Sequence, residues 1–364
     1  MLIAQKRIPF REILLYGFLP NFLKKLVYRL KGYRLGKGVY IGPGSVICGK
    51  VVQIGDYTST GFFTIIRGKE ITIGTHVSIG STTFIDTPFV EIGDGSKINE
   101  QVFIGGLQFP DSRFVLGRNC QIMQMTFINP AKSVIIGDDT GVGGHCLIFG
   151  HTSWLSQFEG YPVEFSPVEI GKSVSLAWGV FVLPGTKIGD GTTVGANSLV
   201  TRTVPARCLA VGFPARVVSK YPEFPKEVTQ EQKVDILKNI VNEMLNNFNK
   251  SSLRISGTGS DYEIIESGKG FLGRKERVWR LKIEYEKKSE PELVECADDS
   301  DVFLSLWEIP KGVRSYLNSK KVVWIDIEKK EQPLFWNDLG EEVALYLKRY
   351  GVRLYRVGEQ PLNR

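Results

Sequence analysis

Two of the three histidines in the sequence, His145 and His151, lie six residues apart in the segment GGHCLIFGHTSW. Imidazole titrates near neutral pH, so either side chain could take a proton from an attacking hydroxyl or ligate a metal ion. A histidine-only zinc site needs three converging imidazoles, and the third histidine, His76, lies much earlier in the chain. What these residues can do therefore depends on the elements that position them.

A six-residue hydrophobic repeat surrounds both histidines. Its clearest stretch contains apolar residues spaced by six: Ile170, Leu176, Val182, Ile188, Val194 and Val200. Neither a helix nor an ordinary strand repeats at six, so the pattern predicts a solenoid in which every sixth side chain points into one core. Gly171 and Gly189 each follow a core residue, and we expect them to mark turns too crowded for a β-carbon.

The repeat begins near Gly38, and its units group in threes. Three faces of about six residues make one triangular coil, which predicts a parallel β-helix of roughly eight coils. The repeat is interrupted around residues 105–114 and again between Ile148 and Ile170. The second break contains His151 and is predicted to protrude as a loop, where functional residues are usually found.

The chain of 364 residues is long enough for two domains, and the repeat stops after Lys220. We predict a basic amphipathic helical segment over 1–37, the β-helix over 38–220, a helix and linker over 221–260, and a small α/β domain of unknown role over 261–364.

Charge and cysteine usage argue against several classes of protein. Residues 1–38 contain nine basic side chains and one acidic one, so the net charge of +7 comes from the N-terminus and does not indicate nucleic-acid binding. The five cysteines are odd in number, scattered and without CxxC spacing. They indicate reduced thiols in a cytoplasmic protein, not a disulfide framework or a zinc knuckle.

The N-terminal segment contains a predicted amphipathic helix. After Pro20, apolar residues recur at helical spacing opposite mostly basic ones. The apolar set comprises Phe22, Leu23, Leu26, Val27 and Leu30. We expect this stripe to plug the open end of the solenoid; peripheral contact with an anionic membrane through residues 1–35 is a compatible alternative. No signal peptide or membrane span is predicted, which places the protein in the cytoplasm or at the inner face of the membrane.

A resemblance to a known family is carried by two segments, GDDTGVGGHCLIFGHTSW and SPVEIGKSVSLAWGVFVLPGTKIGDGTTVGANSLVTRTVPARCLAVGFPARVV. They closely resemble the hexapeptide-repeat acyltransferases of the galactoside, maltose and polysaccharide O-acetyltransferase type, and the resemblance covers roughly residues 35–220. It implies a left-handed β-helix, a homotrimer, acetyl-coenzyme A as acyl donor between neighbouring subunits, and no metal.

The same resemblance implies the site residues. His151 matches the general base, which would deprotonate a sugar hydroxyl, while a structural role is favoured for His145 although it is retained as a catalytic candidate. Both imidazoles are expected to face outward from the coil. The positions that match coenzyme A contacts are Ala177, Trp178, Gly179, Ala196, Arg202 and Arg216.

The sequence departs from the galactoside-type pattern at two points. The asparagine that lies near the base in those enzymes is replaced by a stretch containing Met123, Gln124 and Met125, of which Gln124 could supply an amide. Trp178 stands where a small residue is expected. The residue that orients His151 is unassigned, with Glu159 and Glu164 as the nearest acidic candidates.

These observations predict a coenzyme-A-dependent O-acyltransferase that transfers acetyl to a sugar hydroxyl of a surface polysaccharide or its precursor. Two rival interpretations remain. One is a zinc carbonic anhydrase with the same β-helix fold. Such a site needs three converging histidines, and His76 lies too many coils away to join His145 and His151. The other is a non-enzymatic trimeric scaffold that presents the C-terminal domain.

Overall fold

The computed structural model describes residues 8–251, 253–270 and 273–358. The chain folds into two compact units, Met1–Glu227 and Val228–Arg364.

The first unit is a three-faced parallel β-helix whose chain visits the faces in turn. The first face contains β1 Arg34–Leu35, β4 Val51–Ile54, β7 Glu70–Ile73, β10 Phe89–Ile92, β13 Arg113–Leu116, β16 Val134–Ile136, β21 Val168–Ile170 and β24 Lys187–Ile188. The second contains β2 Tyr40–Ile41, β5 Ser59–Thr60, β8 Ser78–Ile79, β11 Lys97–Ile98, β14 Gln121–Ile122, β17 Gly141–Val142, β22 Ser175–Leu176, β25 Thr193–Val194, β27 Cys208–Gly212 and β28 Ala215–Lys220. The third contains β3 Val46–Cys48, β6 Ile65–Arg67, β9 Phe84–Asp86, β12 Phe103–Ile104, β15 Phe127–Asn129, β18 Leu147–Phe149, β23 Phe181–Val182 and β26 Leu199–Val200.

The six-residue repeat forms the core of this unit. Its positions are at most 5% exposed, and successive coils stack like on like, so that Ile128 pairs with Ile148 and Ile148 with Val182. Fully burying one such side chain stabilises the fold by roughly 1.5–3 kcal/mol. The predicted crowding is also confirmed: a β-carbon on Gly171 would lie 2.2 Å from Asp190 Oδ1.

Among the described residues the first and third faces each have eight strands, so the solenoid has eight coils. The strands within each face pair in parallel, apart from the antiparallel β27–β28 hairpin at the end of the second face. The predicted fold class is confirmed: a left-handed parallel β-helix with an N-terminal capping helix and a C-terminal α/β domain.

Three short helical segments precede the first coil: α1 Phe10–Glu12, a π-helical turn Ile13–Gly17 and α2 Asn21–Leu30. Helix α2 caps the open end through two fully buried side chains, Lys24 and Tyr28. Lys24 Nζ donates to the carbonyl oxygens of Ile41, Gly42 and Ser45, and Tyr28 Oη accepts from the Ile47 amide at 2.9 Å. Burial lowers the pKa of Lys24 to about 8, so the side chain is mainly an ammonium at neutral pH.

The face that α2 turns inward differs from the prediction. Phe22, Leu26 and Leu30 of the apolar stripe point to solvent, being 68%, 54% and 80% exposed, and Val27 only partly covers the core. The open end of a coil consists largely of backbone carbonyl and amide groups, and these need hydrogen-bond partners when they are covered. An ammonium and a phenol satisfy them, whereas an apolar stripe could not.

The second unit is an α/β domain with helices on both faces of one sheet. Its strands, in order across the sheet, are β29 Arg254–Thr258, β30 Asp261–Gly270, β31 Gly273–Glu284, β32 Val302–Ser305, β33 Val323–Asp326, β34 Glu331–Pro333 and β35 Tyr355–Val357. Its helices are α3 Gln230–Lys250, α4 Glu290–Ala297, α5 Lys311–Ser319 and α6 Asp338–Arg349. Leu304 and Ile325 share one core cluster with α3 and α6, and Phe303 and Trp324 share another with α4 and α5. Helix α3, predicted as part of a connecting segment, therefore belongs to the core of this unit.

No helix in the described parts of the chain is both long and apolar enough to cross a lipid bilayer.

Candidate active site

The longer break in the repeat protrudes from the coil, as predicted, and we call residues 150–167 the extension loop. Its two ends pair as short antiparallel strands, β19 His151–Thr152 and β20 Glu164–Phe165, and a 3-10 turn, Gln157–Glu159, lies between them. Trp154 and Phe158 in the loop are largely exposed. Because β19 follows β18 after one residue, the rigid coil fixes the position of His151.

His151 is buried and hydrogen-bonded to an asparagine of the preceding coil. Its Nε2 lies 2.8 Å from Asn129 Nδ2, and both side chains are less than 9% exposed. Asn129 ends β15, and its carbonyl oxygen accepts from the Gly150 amide at 2.8 Å, which aligns the two coils just before His151. The expectation that both imidazoles face outward is therefore wrong for His151, because the extension loop folds back over it.

The hydrogen-bonding pattern fixes the tautomer of His151. Asn129 Oδ1 accepts from the Ala131 amide at 3.2 Å, so the NH₂ group of Asn129 faces the imidazole and donates to Nε2. Nε2 then carries the lone pair and Nδ1 carries the proton. Among the described residues Nδ1 has no hydrogen-bond partner. Burial lowers the pKa of His151, so the ring is neutral at neutral pH, as a general base must be.

Two aromatic rings lie beside this imidazole, and a third packs against one of them. The rings of Phe149 and Phe165 lie 6.1 and 6.0 Å from it, centroid to centroid. Phe165 in turn packs at 5.2 Å, edge to face, against Phe109. Phe109 lies in residues 105–112, the first break in the repeat, which we call the insertion loop. The two breaks in the repeat therefore meet beside His151.

Asn129 is not predicted from the sequence as the partner of His151, although it lies only four residues after Met125. Gln124 instead lies at the corner of His145, whose amide donates to the Gln124 carbonyl oxygen at 3.2 Å. The signal that could have identified Asn129 is its place directly after the core residue Ile128, in the coil that stacks below the start of the extension loop. Both acidic candidates, Glu159 and Glu164, are exposed, and the hydrogen-bonding partner of the ring is Asn129.

His145 occupies a different corner of the same coil. It is exposed, has a left-handed backbone conformation with φ +55°, and its ring lies 5.6 Å from that of Trp178. His145 is at the turn between the second and third faces, whereas His151 follows the third face. The structure thus separates the two histidines that the repeat places in phase.

The turn after the second face gathers most of the predicted coenzyme A positions. Ala177, Trp178 and Gly179 lie in the turn after β22, and Ala196 lies in the equivalent turn after β25. The Asn197 amide donates to the Trp178 carbonyl oxygen at 2.9 Å, so the two turns stack. Ala196 is exposed, and the half-exposed indole of Trp178 covers Gly144 of the coil before.

The two predicted arginines lie apart from each other. Arg216 is exposed on β28 and pairs with Val211, which approaches Gly195 beside Ala196. Arg202 is also exposed but lies after β26, at the next corner of the coil. Only Arg216 is therefore adjacent to the turns that hold Ala177 and Ala196.

Within the described ranges no group of three His, Cys, Asp or Glu side chains is arranged to hold a metal ion. His76 packs at 5.2 Å against Tyr57, at a corner several coils from His145 and His151.

Comparison with known proteins relates this chain to acetyltransferases. It is 37% identical over 114 residues to WbbJ of Escherichia coli, which is named as a lipopolysaccharide biosynthesis O-acetyl transferase; the match covers 28% of this chain and 58% of WbbJ. It is 31% identical over 109 residues to a Schizosaccharomyces pombe protein named as an acetyltransferase, covering 30% of this chain and 50% of that protein. The chain thus spans about half the length of these curated relatives. No protein-family model matches it.

Among solved structures, the polySia-specific acetyltransferase NeuO aligns with 52% of this chain and 86% of its own, at 18% identity and a TM-score of 0.35. The names of the sequence relatives confirm the predicted resemblance to acetyltransferases.

Proposed function

We propose that the β-helix unit is a coenzyme-A-dependent O-acetyltransferase that uses His151 as general base and acts on a hydroxyl of a sugar in a polysaccharide or its precursor. The observation that carries the proposal is the buried, neutral imidazole of His151, held through Nε2 by Asn129 at the base of a loop that projects from a rigid coil. The acetyltransferase names of the sequence relatives support the reaction class.

In the proposed reaction the acceptor hydroxyl reaches Nε2 of His151 and displaces the amide of Asn129 from its lone pair. The hydroxyl proton passes to Nε2 as the oxygen attacks the thioester carbonyl carbon of acetyl-coenzyme A. The tetrahedral intermediate then loses the thiolate, which takes the proton from the imidazolium. The products are the acetyl ester and free coenzyme A. A water-poor, aromatic surrounding favours this role, since it keeps the resting imidazole uncharged.

Acetyl-coenzyme A would lie along the stacked turns of Ala177 and Ala196, where small side chains leave backbone groups open to the pantetheine amides. The residues present fit such a ligand: Ala196 is exposed, Gly179 has φ +71°, and Arg216 near the same turns offers a cation for phosphate. The indole of Trp178 would form one wall of this path. Arg202 lies one corner away, so it would contact the nucleotide end of an acetyl-coenzyme A molecule only if that molecule were bound to a neighbouring copy of the chain.

A homotrimer is part of the proposal. The extension loop carries the exposed apolar side chains of Trp154, Leu155 and Phe158, which a neighbouring subunit would cover. His151 follows the third face, whereas the path for coenzyme A lies at the corner after the second face, in the two coils that come next. A site built between two subunits would therefore join the turns of one to the loop of the other.

The proposal is tested by release of the coenzyme A thiol from acetyl-coenzyme A in the presence of a panel of oligosaccharides and nucleotide sugars. Acceptor-dependent release that disappears in His151→Ala would support it. Failure of the purified protein to bind acetyl-coenzyme A in calorimetry would refute it and favour a scaffold role for the coil.

A further inference from the structure

We propose that the N-terminal helical segment docks this protein onto the surface of an anionic lipid bilayer. This inference is independent of the chemistry at His151, because it rests on the solvent-facing side of the cap and not on the site. The occupant of the surface is a membrane, and it is identified by the apolar and cationic side chains described next.

The apolar stripe of α2 has no role in capping the coil. Lys24 and Tyr28 satisfy the open end of the first coil, whereas Phe22, Leu26 and Leu30 follow one another at i, i+4 and i+8 on the opposite, solvent-facing side. Three large apolar side chains in a row on an exposed helix face are unusual for a surface that meets only water. They have the spacing of a helix that lies in the membrane interface.

Exposed apolar side chains also occur outside α2. In the turn before it, Leu14 and Phe18 are also more than half exposed. The ring of Phe18 lies 6.0 Å from that of Phe63, which lies 6.0 Å from that of Phe62, and both of these phenylalanines are exposed. Phe18, which precedes α2, and the two phenylalanines of the turn that follows β5 thus form a second exposed apolar cluster.

The charges beside this surface are almost all positive. Residues 8–38 contain six basic side chains that are exposed or partly exposed, and a single carboxylate, Glu12. They are Arg11, Lys25, Arg29, Lys31, Arg34 and Lys37. Anionic headgroups attract such a set, whereas the same cationic surface on a second copy would repel it. Since no described helix can span a bilayer, the contact would be interfacial.

Vesicle flotation of the full-length chain tests this proposal, with vesicles of phosphatidylcholine alone and of phosphatidylcholine mixed with phosphatidylglycerol. We expect the protein to float with the mixed vesicles, to float much less with the neutral ones, and to be released at high salt. The triple variant Phe22→Gln, Leu26→Gln, Leu30→Gln should lower the bound fraction at least about tenfold, because it removes the inserted side chains and keeps good helix formers. A matched control, Ile236→Gln with Leu345→Gln, changes half-exposed apolar residues of α3 and α6 and should float like the unmodified protein.

Charge reversal provides a second test that leaves the apolar stripe intact. Lys25→Glu with Arg29→Glu should lower binding to the mixed vesicles and should leave thermal unfolding unchanged. The proposal fails if the unmodified chain does not float with anionic vesicles, or if the triple variant, shown to be folded by circular dichroism, floats equally well. It also fails if the triple variant only lowers the oligomer mass in light scattering, since a second copy would then be the occupant.

Discussion

Asn129 and His151 are 22 residues apart in sequence, yet Asn129 Nδ2 donates to His151 Nε2 at 2.8 Å. The contact arises because β15 and β18 stack on the third face and Gly150 hydrogen-bonds to the Asn129 carbonyl oxygen. It sets the tautomer of the imidazole, orients the ring and holds the lone pair that the proposed reaction uses. The following predictions test this and the other relationships on which the proposals rest.

Loss of the imidazole at position 151 should affect turnover and not donor binding. If His151 is the base, His151→Ala lowers kcat roughly 10²- to 10⁴-fold, the usual contribution of general-base catalysis. Acetyl-coenzyme A affinity, measured by calorimetry, should stay nearly unchanged. His145→Ala serves as control and should do much less. Near-normal turnover of His151→Ala on a verified acceptor would contradict the assignment.

The pKa of His151 should respond to the residue at position 129. Because burial lowers this pKa, the acid limb of kcat/KM should lie below the ordinary histidine pKa of about 6.5. Asn129→Asp places a carboxylate beside Nε2, which stabilises the imidazolium, so the acid limb should move to higher pH and activity at neutral pH should fall. Because the chain has only three histidines, the titration of His151 can be followed directly by NMR in both proteins. An unchanged His151 titration would rule out Asn129 as its partner.

Lys24 should be important for stability because it satisfies three carbonyl oxygens. Lys24→Met keeps the length of the side chain but removes its hydrogen bonds to these buried oxygens, and should lower the free energy of unfolding by at least about 2 kcal/mol. Lys25→Met, at the partly exposed neighbouring position, should change it by no more than about 0.5 kcal/mol. Equal denaturant midpoints for both variants would show that the cap depends on other contacts. Deletion of residues 1–35 should lower solubility and the Tm even further.

The stacked turns should be sensitive to bulk if acetyl-coenzyme A lies along them. Ala196→Leu adds volume to an exposed turn, so it should raise the KM for acetyl-coenzyme A about tenfold or more and leave the Tm nearly unchanged. Ala206→Leu, at an exposed alanine of another corner, is the matched control. If both variants kept the normal KM, the ligand path would have to lie elsewhere.

The proposed trimer can be tested by measuring the mass of the protein in solution. Light scattering should give three times the chain mass of 40.8 kDa, because in the homotrimer that the resemblance implies each site joins the turn of one copy to the loop of the next. Replacing Phe158 and Leu155 in the extension loop by serine should shift the mass towards the monomer and reduce activity together. A stable monomer with full activity would refute the proposal.

The hydrophobic repeat was sufficient to predict the coil. Stacked coils require the same kind of side chain at the same place in each turn, so the information is local and periodic, and Ile170, Leu176 and Val182 reveal it without any knowledge of distant contacts. Breaks in that period also located both loops, since extra residues cannot remain within a coil of fixed size.

Two features depend on contacts between distant parts of the chain: which side of α2 faces inward, and which residue is hydrogen-bonded to His151. Amphipathic periodicity shows that α2 has two faces, but it does not show which face is buried. The open end of the coil presents backbone carbonyl oxygens that need donors, and the sequence pattern does not indicate them. The buried residue is therefore Lys24, and Leu26 is exposed. His145 and His151 share a phase of the repeat, yet the extension loop buries one and leaves the other exposed. Asn129 and His151 meet only because successive coils stack, which is a relationship in space that spacing along the chain does not encode.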